Sequence, residues 1–468
     1  MAARSRGRAA SPRSFLLRSS SEFGVDRATP RSDHEEMIAS SAEPPTGVVD
    51  SVAALAPVVA WWRGSAVPVT TPEPDGNTSD LEQLVDFFAD AKVVGLGEST
   101  HGAHQLFAMK HRLIEFLVSR LGYTAVAFEA SYSGCVPIDE FVRHGRGDAA
   151  SALTGQGYTA WDTAEVAALL RWLRGHNDQA PEDHRVEFWG LDSGYNAVGR
   201  AHVMRYLRRT NPALVPDLSS TFDALNELEA RWPFALSDTA SESALSAAHE
   251  KVRTLERTLD TARGGDGEAE RVARFVRQMR RWTGPDRNDR SRLMGETLLE
   301  LLDQAPTDAK VVVWAHNAHI GRGTDHPELN FGDILTEGYG DAYVAVSLEF
   351  GEGTCHQRAL DADLASGDLV VHSAGPSPVG SLPWCLASTG QQALAVDLRR
   401  PTHEHAAEAW LRQPQTEHAI GWTSADWAVY DGKSIVPDKY DAIVYVDTIT
   451  PSQPTANAVR TIARRERY

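Results

Sequence analysis

Residues 93–104 read VVGLGESTHGAH, and this stretch decides the fold. Val93, Val94 and Leu96 form a short aliphatic run without polar alternation, the pattern of a strand covered on both faces. The run breaks at Gly97 into a carboxylate, two hydroxyls and an imidazole, Glu98-Ser99-Thr100-His101. A buried strand that ends in this way hands polar groups to a cleft.

Outward from it, the same layout recurs. Candidate strands are Lys92–Gly97, Thr124–Glu129, Arg185–Leu191, Lys310–Ala315, Ala342–Leu348, Ala393–Leu398 and Asp441–Val446, separated by amphipathic helices. This alternation predicts an α/β fold with a mostly parallel central sheet flanked by helices. Between about residues 196 and 304 no strand pattern occurs, and Ala, Leu, Glu and Arg recur at helical spacing, which predicts a helical insertion lying over the sheet as a lid. Gly264-Gly265-Asp266-Gly267 reads as a turn between two of its helices. Ser79 with Glu82, and Asp162 with Glu165, read as helix capping pairs. The Arg- and Ser-rich residues 1–50 read as a disordered leader, and 51–468 as one α/β domain.

Composition narrows the function classes. The 468 residues are 42% hydrophobic, enough for a sizeable core, and carry a formal net charge of -18. That balance argues against nucleic acid or an anionic membrane surface as partner and fits a neutral or cationic small-molecule substrate. Cys135, Cys355 and Cys385 are far apart without a CxxC pair, so neither a disulfide framework nor a cysteine zinc site is expected, and a reducing cytoplasm is the default location. The longest apolar run, Val52 to Trp62, is too short to cross a bilayer and contains Pro57, so no membrane span is expected. Nothing in the pattern fixes an oligomeric state.

The chemistry is expected at the strand ends, where open parallel sheets place their sites. Glu98, Ser99 and His101 follow the first strand, Glu129 the second, Asp192 the third, and His316 and His319 the fourth. A serine nucleophile elbow needs Gly-x-Ser-x-Gly, and here the second glycine, Gly102, comes one residue late. Ser99 is therefore expected as a helix cap or turn hydroxyl lining the substrate site. General acid/base chemistry remains, with His101 as base and Glu98 or Glu129 orienting it. Lys110 interrupts the apolar stripe of Phe107, Ile114, Leu117 and Leu121. It is either a snorkelling surface lysine or a cation that balances one of the two glutamates. His316, Lys110 or the backbone amides after Gly97 are candidates to stabilise an oxyanion. Asp192 is either a supporting hydrogen-bond acceptor or a site member. Glu98-x-x-His101 and His316-x-x-His319 lack the HExxH spacing, and no metal or other cofactor is expected.

These residues carry a resemblance. Gly97-Glu98-Ser99-Thr100-His101-Gly102, Lys110-His111-Arg112-Leu113, Leu121-Gly122-Tyr123, Phe128-Glu129-Ala130, Gly190-Leu191-Asp192, Trp314-Ala315-His316-Asn317-Ala318-His319, Gly332-Asp333-Ile334-Leu335 and Tyr440-Asp441-Ala442 resemble, in order, the erythromycin esterase family. The resemblance implies an α/β fold with a helical insertion and hydrolytic opening of a macrolide lactone without a required metal. It places the water-activating imidazole on His101, its acidic partners on Glu98 and Glu129, and a second histidine pair on His316 and His319. The basic position, often Arg in macrolide-resistance members, falls on Lys110, which lacks the planar bidentate fork. A shared mechanism therefore follows more readily than a shared substrate. The same groups would also serve a dehydratase or cyclase of natural-product biosynthesis, a metal-dependent hydrolase, or a protein that only binds a hydrophobic ligand under the insertion.

Overall fold

The computed structural model describes residues 46–74, 76–231, 239–260, 267–323, 330–359, 369–421, 423–424 and 432–465. In chain order the strands are β1 (Val67–Pro68), β2 (Val93–Leu96), β3 (Ala125–Ser131), β4 (Glu187–Asp192), β5 (Val311–Trp314), β6 (Tyr343–Ala359), β7 (Leu369–Ala374), β8 (Ala393–Asp397), β9 (Gln415–Glu417), β10 (Thr423–Ser424), β11 (Gly432–Ser434) and β12 (Ala442–Ile449). The main sheet runs β1-β8-β12-β6-β2-β5-β3-β4. From β12 to β4 every pairing along this order is parallel, whereas β8 pairs antiparallel with both β1 and β12, and β7 antiparallel with β6. Every strand expected from the sequence is present.

Burial on both faces explains why these strands read as unbroken apolar runs. Val94, Leu96, Val126, Phe128, Val312 and Trp314 pack on one side, with helix His104–Leu121 above them. Val93, Ala125, Ala127, Val311 and Val313 pack on the other, against Met294 and Leu298 of helix Arg290–Gln304. β6 is far longer than expected because beyond Leu348 it gains an antiparallel partner, Gly353–Arg358 pairing with Ala374–Leu369 of β7.

The insertion is built of helices Ala197–Thr210, Val215–Arg231, Thr239–Asp260, Gly267–Thr283 and Arg290–Gln304, with no strand among its described residues. It has a core of its own, in which Val203, Phe222, Leu225, Val252 and Val276 are buried. Of the turn expected at 264–267, residues 264–266 lie outside the described residues.

Several local expectations need correction. Residues 1–45 of the leader lie outside the described residues, and the first helix begins at Thr46, ahead of the boundary at 50. Ser79 opens a short 3-10 helix without a side-chain cap, and neighbouring Asp80 instead holds Arg112. Thr163, not Asp162, caps helix Ala164–Gln179, its hydroxyl accepting the Val166 N–H at 3.3 Å. Glu165 is directed at His104, with 2.7 Å between carboxylate and Nδ1. The three cysteines are free and buried, and among the described residues no helix is long and apolar enough to cross a membrane.

The segment after β12 is stapled to the loop after β2. Gly102, in the left-handed region at φ 87°, turns the chain into helix His104–Leu121. Its carbonyl accepts N–H groups from both His356 and Ser452 at 2.9 Å, and the His104 N–H reaches the Thr450 carbonyl at 2.8 Å.

Candidate active site

Gly97 has no side chain because the space is taken: a Cβ there would collide with Oδ1 of Asn317. Asn317 crosses the strand end at that point and donates its backbone N–H to the Glu98 carbonyl at 2.9 Å. The next side chain, Glu98, is completely buried. One of its oxygens accepts from Nδ1 of His101 at 2.9 Å, and the other meets the Lys110 ammonium. Lys110 is equally buried, donates to the Ala315 carbonyl at 3.1 Å and lies 4.5 Å from the centre of the Trp314 ring. It is an internal cation, not a snorkelling one. Burial pushes its pKa well below the ordinary lysine value, with the charge on Glu129 opposing.

Of the two glutamates, Glu98 is the one hydrogen-bonded to the His101 ring. Glu98 fixes the proton on Nδ1, and its charge is already balanced by Lys110, so it orients the ring without holding it cationic. Nε2 has no hydrogen-bond partner among the described residues and carries the lone pair. Burial lowers the imidazole to about 4, opposed by the Glu129 charge and assisted by His319 and Arg290. The His101 ring is thus neutral at pH 7, wedged edge-on between Trp161 and His316 at ring distances of 4.7 and 5.0 Å.

Glu129 governs a second group. One oxygen accepts the backbone N–H of His316 at 3.1 Å, and the other faces Nε2 of His319 and Nη2 of Arg290, both at 3.2 Å. Burial alone would raise this carboxyl, but its neighbours outweigh it, His319 first and then His101 and Arg290, and hold it well below the usual range. Arg290 also donates through Nε to Asp192 at 2.7 Å and lies 5.5 Å from the Tyr158 ring centre.

The other expected site residues separate by what their polar atoms already do. His316 accepts the Ala318 N–H on Nδ1 at 3.0 Å and donates from Nε2 to the Ile420 carbonyl at 3.1 Å. Burial, with His101 beside it, lowers its pKa to about 3. It walls His101 and has neither nitrogen available for proton transfer. Ser99 is fully buried and caps no helix, since helix His104–Leu121 starts beyond Ala103. Asp192 holds the Gly194 N–H at 2.8 Å as well as Arg290, which makes it an anchor for that guanidinium. Trp161 does more than fill the core, because it touches His101 and donates Nε1–H to the Glu129 carbonyl at 2.8 Å. Among the described residues no three His, Cys, Asp or Glu side chains are arranged to share a metal ion.

Arg290 and Ser291 escaped the sequence reading. Both sit in the first turn of helix Arg290–Gln304, and Ser291 Oγ lies 2.6 Å from Nδ1 of His319. One signal was present: a cation in the first turn opposes the helix dipole, which marks Arg290 as held by something other than helix preference.

A mostly parallel α/β sheet presenting a carboxylate-oriented imidazole at its strand ends defines an enzyme-like acid/base site. The comparisons supply its family. The erythromycin esterase family profile matches residues 118–449, well over half of the sequence, and this chain belongs to that family. Its loop Gly97–Gly102 precedes the matched span. The chain is 26% identical over 341 residues to erythromycin esterase type II of Escherichia coli, covering 64% of this chain and 78% of that protein. Its fold is shared with a Bacillus cereus protein of known structure, at a TM-score of 0.71 and 22% identity over 85% of this chain and 98% of that one. It is also shared with a variant of erythromycin esterase EreC in its open conformation, at a TM-score of 0.60 and 14% identity over 80% and 95% of the two chains.

Proposed function

We propose that this family member hydrolyses a carboxylic ester or lactone of a small molecule, with His101 as the base that activates water. The observation that carries the reading is the buried relay Lys110–Glu98–His101, which fixes the proton on Nδ1 and leaves Nε2 neutral and unpartnered among the described residues. Nε2 takes a proton from water as the water oxygen bonds to the substrate carbonyl carbon. The tetrahedral oxyanion collapses, the carbon–alkoxy bond breaks, and the departing alkoxide takes the proton back from Nε2. Glu129 stabilises the transient imidazolium through space.

Of the candidates to receive the oxyanion, Lys110 is sealed against Glu98, and the ring and backbone N–H groups of His316 are committed to Ile420 and Glu129. Arg290 replaces them in this reading, as a site cation whose side chain keeps 28% exposure. The family relationship supports ester chemistry, and a macrolide lactone is one substrate to try first. A dehydratase or cyclase would use the same base but lose water from its substrate or leave its mass unchanged. A metal-dependent hydrolase would have to pull the nitrogens of His316 and His319 away from Glu129, Ser291 and the backbone.

The test is turnover of a macrolide and ester panel followed by mass spectrometry, with EDTA present. A gain of one water by the wild type, reduced by about 10²- to 10⁴-fold in His101→Ala, is the expected result. Loss of water from the substrate, or activity abolished by EDTA, overturns it. Saturable binding without turnover would make the chain a binding protein.

A further inference from the structure

We propose that Ser291 is a positioning residue that sets the protonation pattern of the site through His319. The carboxylate of Glu129 faces Nε2 of His319 at 3.2 Å, and a carboxylate held ionised can only accept, so Nε2 carries a proton. With the ring in its neutral form Nδ1 is an acceptor, and the Ser291 hydroxyl 2.6 Å away is its donor. Hydrogen-bond polarity thus runs in one direction, from Ser291 to His319 to Glu129.

Removing the hydroxyl would leave Nδ1 without its donor and let the ring exchange tautomers. A lone pair on Nε2 would then confront the Glu129 carboxylate, which is also the acceptor for the His316 backbone N–H and the charge that favours protonated His101. Ser291 therefore acts on the base at two removes. Placing it in the first turn of helix Arg290–Gln304 beside Arg290 gives the helical insertion two adjacent holds on the Glu129 group. The consequence for rate rests on the hydrolase reading, whereas the consequence for the His319 tautomer does not.

The experiment compares Ser291→Val with Ser291→Thr in the full chain, because both are β-branched and only Thr keeps the hydroxyl. In protein labelled with ¹⁵N-histidine, with the His319 resonances assigned through His319→Gln, wild type and Ser291→Thr should show the Nε2–H tautomer and Ser291→Val a mixture. On an ester that the wild type turns over, Ser291→Val should lose about 10- to 100-fold in kcat with KM within about twofold, and Ser291→Thr should recover most of it. A folded Ser291→Val with wild-type His319 nitrogen shifts overturns the proposal. So does a covalent fluorophosphonate adduct on Ser291, which would make it a nucleophile. If no ester is hydrolysed, the hydrolase reading fails, and the nitrogen shifts still decide the role of Ser291.

Discussion

The strand ends and the helical insertion meet at the same few atoms but are built on different terms. The base and its partners stand on β2, β5 and β3, three adjacent strands whose apolar faces are covered on both sides. The insertion has a separate core, but the helix whose first turn touches the Glu129 group through two neighbouring residues packs with the sheet. A rigid sheet suits a cluster of closely placed polar side chains, and the separately packed helices ahead of Arg290 can loosen without disturbing it. The two regions should therefore fail differently when damaged.

The largest effect is expected on the sheet side. Lys110→Ala leaves the Glu98 carboxylate buried and unpaired, a loss of about 3–5 kcal/mol that urea unfolding would measure. Lys110→Met with wild-type stability would show that Glu98 needs no cation. Next is Leu225→Ala in the insertion core, which should cost about 3 kcal/mol, with hydrogen exchange accelerating in the insertion and unchanged in β2, β3 and β5. Equal acceleration in the sheet would mean that the two regions unfold together. Arg290→Ala should keep the fold while lowering kcat by about 10²-fold, and Arg290→Lys should recover only part because one ammonium cannot reproduce the fork between Glu129 and Asp192.

The gentlest test is pH. His101 and His316 are lowered in the fold to about 4 and about 3, so below their ordinary value of 6.5 the unfolded chain binds more protons than the native one. Their contribution is complete above pH 6.5 and fades as pH falls through 4. His104 is raised by Glu165 against the opposing effect of burial, so its contribution is present below 6.5 and is lost as pH rises through its higher native value. Thermal unfolding between pH 7 and 4 should show a steady loss of stability, shallower in His101→Asn. A flat profile would mean that His101 is charged in the native protein.

The sheet was legible because a Val-rich run followed abruptly by polar residues has few explanations, and β2, β3, β4 and β5 all show it. That His101, Glu98 and Glu129 lie at neighbouring strand ends was visible on the same grounds. Lys110 was visible only as an ambiguity, since helix periodicity places a residue on a face without saying whether its head group escapes to water. The capping pairs failed because Asp80 and Glu165 found stronger partners far along the chain, Arg112 and His104, than the local amides. Arg290 and Ser291 were illegible as site residues because their contacts span 161 and 28 residues, and Arg and Ser in a polar helical segment read first as surface. The committed rings of His316 depend on where the carbonyl of Ile420 lies, which no spacing records.

The staple between Gly102 and Ser452 also fixes an order of events. On the ribosome the carbonyl of Gly102 cannot meet the Ser452 N–H until β12 and the residues just after it have been made. A nascent chain stalled ahead of β12 can form much of β2 to β5 but lacks that clasp on the loop after β2. Closure of that loop would then wait on the synthesis of β12, and products that end before it would meet chaperones with the loop still unclasped.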